Sequence, residues 1–147
     1  MSKASDLEER LINFSVTVFT QTKNIANTRD YRSLVDQVRR SATSPALNYG
    51  EAQSAESTND FIHKLGIVVK ELRETYNALR ILSKLGCIPP EHGVLSECND
   101  LIAIFVASVK TAQRNRKWFL IPDWFVIAGH LKNQQSTIKN KQFQEIF

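Results

Sequence analysis

Apolar residues recur at steps of three and four along most of the chain, which is the spacing of one face of an α-helix. The longest rows cover residues 61–85 and 95–112, and shorter rows cover residues 7–25 and 31–42. Polar and charged residues occupy most of the positions between them. The pattern predicts four amphipathic helices and no strands.

The members of these rows are the predicted core. They are Leu7, Leu11, Phe14, Val18 and Ile25 in the first row, Tyr31, Leu34, Val35, Val38 and Ala42 in the second, Phe61, Leu65, Val68, Leu72, Tyr76, Leu79, Leu82 and Leu85 in the third, and Leu95, Cys98, Ile102, Phe105, Val109 and Ala112 in the fourth, which Leu101, Ile104 and Val106 widen.

Start signals precede the first two rows. Ser5 and Glu8 have the spacing of a capping box, so the first helix is predicted over residues 6–23. Residues 27–30 contain three cap candidates for the second helix, Asp30 among them. Both helices should therefore begin at a side-chain cap.

Pro45 falls inside the second helix. Proline removes one backbone hydrogen bond and crowds the preceding turn. The sequence therefore predicts a kink over residues 42–44, with the helix resuming to about Ser54.

The third and fourth helices have clearer limits. Ser57 precedes Asp60 by three residues and should cap a helix that starts near Thr58. Gly86, with two prolines shortly after it, should end that helix. The fourth helix is predicted over residues 91–117.

Two long helices joined by a short loop pack antiparallel. The predicted fold is all-α, an antiparallel up-down-up-down four-helix bundle over residues 1–117, followed by a basic, aromatic-containing extension over residues 118–147. A length of 147 residues suits one domain, and five glycines and four prolines are too few for the turns of a sandwich or barrel.

Positive charge is concentrated at the C-terminal end. Residues 1–109 carry 12 Lys and Arg against 13 Asp and Glu, whereas residues 110–147 carry 7 against 2, a net charge of +5. The candidate nucleic-acid-binding residues are Lys110, Arg114, Arg116 and Lys117, with Lys132, Lys139 and Lys141 beyond them. The alternative is that these residues complement a helix C-terminus and solvate the surface.

Residues 48–52, which we call the 48–52 segment, follow a run of small residues. Small side chains let another backbone approach closely. The segment consists of Asn48, Tyr49, Gly50, Glu51 and Ala52. Polar groups at such an interface fix the register between helices or subunits, so these residues are predicted to serve packing and oligomer formation. Binding of a ligand is the other interpretation.

No residue set carries recognisable catalysis. Asp60 and His63 lie three apart but lack the third ligand of a catalytic zinc site. Glu51 and Glu56 have no predicted Lys or His partner, so they are interpreted as surface charge. We expect no enzyme activity, no cofactor and no metal.

The two cysteines, Cys87 and Cys98, cannot form a disulfide framework, and no secretory signal precedes the chain. Cys98 is predicted to be a small core residue. The longest apolar run, residues 101–107, is far shorter than the roughly 20 residues of a membrane-spanning helix. These features predict a cytoplasmic protein.

Aromatic residues mark the beginning of the extension, at residues 118–125. They could stack on bases, as aromatic side chains do in single-strand-binding proteins. Packing on the protein's own bundle or on a neighbouring subunit is the favoured interpretation, because large apolar side chains left exposed form an adhesive patch.

Five segments of the chain resemble one protein family, the four-helix-bundle proteins encoded in bacterial 23S rRNA intervening sequences. They are Asp6-Leu-Glu-Glu-Arg-Leu-Ile-Asn-Phe14, residues 40–57 with Asn-Tyr-Gly-Glu-Ala at their centre, Asp60-Phe-Ile-His-Lys-Leu65, Lys70-Glu-Leu-Arg-Glu-Thr75 and residues 101–111. The resemblance covers residues 5–115. It implies a small cytoplasmic homo-oligomer, a ring-shaped pentamer, without established enzyme activity.

Relatives of similar shape are nucleic-acid-binding accessory subunits of diversity-generating retroelements, which offers a distant analogy. The sequence therefore predicts a non-enzymatic oligomeric scaffold with RNA or DNA as its ligand. The alternative is a protein-binding adaptor or assembly protein with no nucleic-acid ligand.

Overall fold

The computed structural model describes residues 3–25, 29–89 and 93–119. These residues form four α-helices and no strand: α1 (Lys3–Thr22), α2 (Arg32–Gln53), α3 (Thr58–Lys84) and α4 (Gly93–Phe119). A short 3₁₀ turn, Arg29–Tyr31, precedes α2. The predicted all-α, four-helix fold is confirmed.

The chain divides into two units, Met1–Lys110 and Thr111–Phe147. The first unit contains α1, α2, α3 and most of α4. In the second unit the described residues, 111–119, continue as helix. The predicted boundary after residue 117 stays a prediction.

The core of the first unit is built from the predicted apolar rows. Its largest fully buried side chains come from all four helices: Phe14, Phe105, Leu11, Leu65, Leu72, Leu79, Leu82, Leu101, Val18, Val35, Val38 and Val68. Burial of a side chain of this size stabilises the fold by roughly 1.5–3 kcal/mol. Packing of these faces therefore holds the helices together.

The predicted side-chain cap is present at the start of α3, while the candidates Asn27 and Thr28 for α2 lie outside the described residues. The Ser57 hydroxyl accepts a hydrogen bond of 3.1 Å from the backbone N–H of Asp60. Ser5 lies inside α1, which begins at Lys3, so the predicted cap there is wrong. Asp30 does not cap α2 either, because the 3₁₀ turn leads directly into that helix and Tyr31 makes no side-chain cap hydrogen bond.

Helix α3 ends at Lys84, and the predicted terminating glycine, Gly86, follows its C-cap. Gly86 has a φ of 73°, in the left-handed region, where residues other than glycine are strained. The N–H of Cys87 donates to the Leu82 carbonyl at 2.9 Å and the N–H of Gly86 donates to the Ser83 carbonyl at 3.0 Å, the bonds of a Schellman motif. Leu85, predicted to be core, is 48% exposed because the chain leaves the helix at this residue.

Pro45 is buried inside α2, and the helix continues through it to Gln53. Because proline has no N–H, the carbonyl of Ser41 lacks its usual helical donor. At the adjacent Ala42, the carbonyl accepts a hydrogen bond of 2.7 Å from the Ser15 hydroxyl of α1. Pro45 therefore does not end α2, and the predicted bend stays a prediction.

Candidate functional site

The 48–52 segment forms the end of α2, and two of its residues belong to the core. Tyr49 and Ala52 are buried, and the Tyr49 ring meets the Phe105 ring edge to face, with 5.2 Å between centroids and an interplanar angle of 80°. Burial raises the pKa of Tyr49 above its ordinary value. These two residues pack within their own chain.

The polar residues of the segment also find partners within the chain. The Asn48 amide donates to the Ser44 carbonyl at 2.9 Å. Glu51 forms an ion pair with Lys64 of α3 and accepts a hydrogen bond from its ammonium group. This hydrogen bond raises the pKa of Lys64. The sequence-based view that Glu51 has no Lys partner is wrong. Spacing within one helix does not show a contact that forms across a turn.

Gly50 marks a close approach of α1 to the end of α2. A Cβ added to Gly50 would lie 3.2 Å from the Glu8 carboxylate, tighter than an ordinary contact. The small residue thus admits a side chain of α1. The residues of the 48–52 segment thus make packing contacts within their own chain. Their role in oligomer formation stays a prediction.

The basic candidates lie on the last turns of α4. Lys110 and Arg114 are exposed; Lys110 ends the first unit and Arg114 belongs to the second. Arg116 and Lys117 lie in α4, but their side chains are outside the described part of the chain. The further lysines at positions 132, 139 and 141 also lie outside the described residues. The predicted binding role of this group stays a prediction.

A cleft of about 560 Å³ opens between α1 and the first turns of α4. The described residues that line it are Asp6, Glu9, Arg10, Asn13, Phe14, Thr17, Gly93, Val94 and Glu97. Arg10 donates two hydrogen bonds to Glu97, at 2.6 and 2.9 Å, and this pairing raises the pKa of Arg10.

The candidate metal ligands do not gather into a cluster in the described part of the chain, and the Cys98 thiol is enclosed in the core. They contain no group of three or more His, Cys, Asp and Glu side chains that could hold a metal ion. Asp60 is half-buried and His63 is exposed. Cys98 is fully buried, as predicted, and burial raises its pKa to about 12, so it is a protonated core thiol at neutral pH.

An apolar row on the surface of α1 was not predicted. Ile12, Val16 and Phe19 are 41%, 58% and 43% exposed, and their spacing of four and three residues places them on one side of the helix. We call these three residues the α1 row. Arg39 of α2 lies over the Phe19 ring, with its guanidinium carbon 5.0 Å from the centroid. A second apolar row beside the core row of α1 was the sequence pattern that could have revealed it.

None of the helices formed by the described residues combines the length and apolar character that a membrane crossing requires.

A family model described as 23S rRNA-intervening sequence protein matches residues 4–106. The chain is also similar to the crystal structure of a protein with unknown function from the S23 ribosomal protein family of Bacteroides thetaiotaomicron VPI-5482, with a TM-score of 0.66 and 27% sequence identity. That similarity covers 71% of this chain and 98% of the other. No curated protein matches the chain. The family match includes the 48–52 segment and the α1 row but ends before Lys110.

Proposed function

We propose that this chain, which belongs to the 23S rRNA-intervening sequence protein family, is a non-enzymatic, cytoplasmic, homo-oligomeric scaffold that binds nucleic acid. Its helices form an antiparallel up-down-up-down bundle. Two contacts support this topology: Glu51 near the end of α2 pairs with Lys64 near the start of α3, and Gln37 near the start of α2 donates to Glu74, further along α3.

The uneven distribution of charge carries the nucleic-acid part of the proposal. Residues 110–147 carry 7 Lys and Arg against 2 Asp and Glu, while the rest of the chain is almost neutral. Lys110 and Arg114 are exposed on α4. Cations concentrated in one part of a chain favour a polyanion, and phosphate contacts supply most of the affinity in nonspecific nucleic-acid binding.

The α1 row supports the oligomeric part. Each apolar Å² removed from water contributes about 25 cal/mol, so a neighbouring subunit that covers these side chains stabilises the assembly. A ring of identical subunits, five in the form we propose, presents one copy of the basic group per subunit. Weak contacts at each copy then act together on one extended polyanion.

The Arg114→Glu/Lys117→Glu variant tests the binding proposal. The unmodified protein should bind a fluorescent RNA duplex at low salt, and the variant should bind it more weakly whatever its sequence, because two phosphate contacts become repulsive. Circular dichroism and light scattering should show the same helicity and mass for both proteins. Equal affinity of the two proteins would remove the C-terminal group from the proposal.

A protein-binding adaptor is the second candidate, and the exposed α1 row favours it as well, because a different protein could cover the same side chains. The two candidates differ in what accompanies the protein on purification at low salt. Co-purifying nucleic acid, detected as a raised ultraviolet absorbance ratio, supports the scaffold; its absence supports the adaptor.

A further inference from the structure

A row of five exposed residues occupies the C-terminal half of α3, on the side away from the core. Its members, the α3 stripe, are Lys70, Arg73, Asn77, Arg80 and Lys84, and all of them are exposed. Their spacing alternates between three and four residues, which keeps them on one side of the helix. The buried row of the same helix has the same period, so α3 has a core face and a separate cationic face.

None of the ion pairs in the described part of the chain involves a cation of the α3 stripe, although Glu74 lies four residues after Lys70 on the same helix. The ion pairs found there are made by Arg10 and Lys64. The acids Glu71 and Glu74 of α3 are half-buried, and Glu74 accepts a hydrogen bond from Gln37 of α2. The positive charge of the α3 stripe is therefore available to an external anion.

The residues of the α3 stripe are held at fixed spacing because they all lie on one continuous helix. Fourteen residues of helix separate Lys84 from Lys70, about 21 Å at 1.5 Å per residue. Arg80 lies over the Tyr76 ring at 5.7 Å, a contact that favours one position of its guanidinium. Double-stranded nucleic acid carries one negative charge per about 1.7 Å of its axis, so a row of this length can contact several phosphates at once.

We infer that the α3 stripe binds the phosphate backbone of a nucleic-acid duplex, as a second binding surface in addition to the C-terminal basic group. This inference rests on the proposed function. A duplex fits better than a single strand because the stripe exposes no aromatic residue on which unpaired bases could stack. Gly66, one turn before Lys70, is exposed and has open space where a Cβ would lie, so the ligand can approach the backbone there.

The Arg73→Gln/Arg80→Gln variant tests this inference in the full-length protein. Its matched control is Arg29→Gln/Arg32→Gln, which removes two exposed arginines from the region before and at the start of α2. Affinity for a fluorescent RNA duplex and for a DNA duplex of the same sequence is measured between 50 and 200 mM salt. Loss of two phosphate contacts should reduce the steepness of log affinity against log salt by about 2. The factor by which affinity falls between the lowest and the highest salt should then be roughly tenfold smaller for the variant than for the unmodified protein.

Flattening in the α3 variant, with the control variant unchanged, supports the inference, and the RNA and DNA arms identify the preferred duplex. If the unmodified protein binds the duplex and both variants bind it equally well, the inference is overturned and the proposed function is left in place. No binding by the unmodified protein overturns both. Displacement of the duplex by poly-glutamate at equal charge overturns the inference too, because it shows that the surface selects acidic protein instead of phosphate.

Discussion

At the scale of single residues, hydrogen bonds of buried hydroxyl groups connect the helices. The Thr75 hydroxyl of α3 donates to the Ser41 hydroxyl of α2 at 2.9 Å, and Arg39 of α2 donates to the Thr22 hydroxyl of α1 at 2.9 Å. Among the described residues, no buried side-chain N or O atom lacks a hydrogen-bond partner. Because a buried unpaired polar group costs about 1–3 kcal/mol, these pairs fix which turns of the helices face each other.

The cap at Ser57 is a direct prediction at this scale. Ser57→Ala removes the acceptor for the Asp60 N–H and should lower the free energy of unfolding by about 1 kcal/mol, measured by urea denaturation. Ser57→Asp is the control, because its carboxylate keeps an acceptor and places negative charge at a helix N-terminus. Equal losses in both variants would show that the hydroxyl is not the cap.

Alkaline pH should weaken the fold through Cys98. Burial raises the pKa of this thiol from 9.0 to about 12, so above pH 9 the unfolded chain loses its proton while the folded chain keeps it. The folded state then binds more protons, and its stability falls as pH rises. Between pH 8 and pH 10 the free energy of unfolding should drop by about 1 kcal/mol from this group.

Urea denaturation at a series of pH values checks this prediction, with Cys98→Ala as the comparison. The variant should be less stable at every pH, because it leaves a small cavity, but its stability should decline less over the same range. Parallel curves for the two proteins would assign the alkaline decline to other groups.

At the scale of the helices, much could be predicted because apolar spacing and cap residues are local features. The rows of α3 and its limits at Ser57 and Gly86 follow from residues within a few positions of each other. The start of α2 did not follow, because a backbone 3₁₀ turn replaces the side-chain cap there. Continuation of α2 past Pro45 to Gln53 agrees with the predicted resumption to about Ser54, whereas the burial of Pro45 depends on packing that the local pattern does not encode.

Replacing a glycine by alanine should change the stability of the protein in opposite directions at two positions. Gly66 lies inside α3, and Gly86 lies just after its end. Gly86→Ala should destabilise the protein by about 1–2 kcal/mol, because a φ of 73° strains any residue with a Cβ although no atom lies within 4 Å to clash with it. Gly66→Ala, exposed inside the helix with equally open space, should stabilise it by about 0.5–1 kcal/mol. Urea denaturation of both variants measures the difference, and a loss in both would place the effect in packing.

At the scale of the whole molecule, the sequence indicated the family and the fold better than it indicated the surfaces. A core face repeats with the helical period, so it stands out in the sequence. The α1 row and the α3 stripe have the same period, but only the structure shows that they are exposed. Contacts between distant residues, such as Arg10 with Glu97 and Glu51 with Lys64, have no sequence pattern at all.

Assembly gives the prediction at this scale. Light scattering at micromolar concentration should give a mass several times the 16.7 kDa of one chain. Val16→Glu should lower that mass, because a charge replaces an exposed apolar side chain of the α1 row. Ile81→Glu, at a 48% exposed position of α3, should leave it unchanged. A monomeric unmodified protein would refute the oligomer.

The dependence of RNA affinity on salt tests the central claim most directly. Fluorescence anisotropy of a labelled RNA duplex, titrated with the unmodified protein at several salt concentrations, gives the slope of log affinity against log salt. The account predicts tight binding at low salt and a steep linear fall, because each neutralised phosphate releases counterions. Absence of binding at the lowest salt, or an affinity that salt does not change, would contradict it.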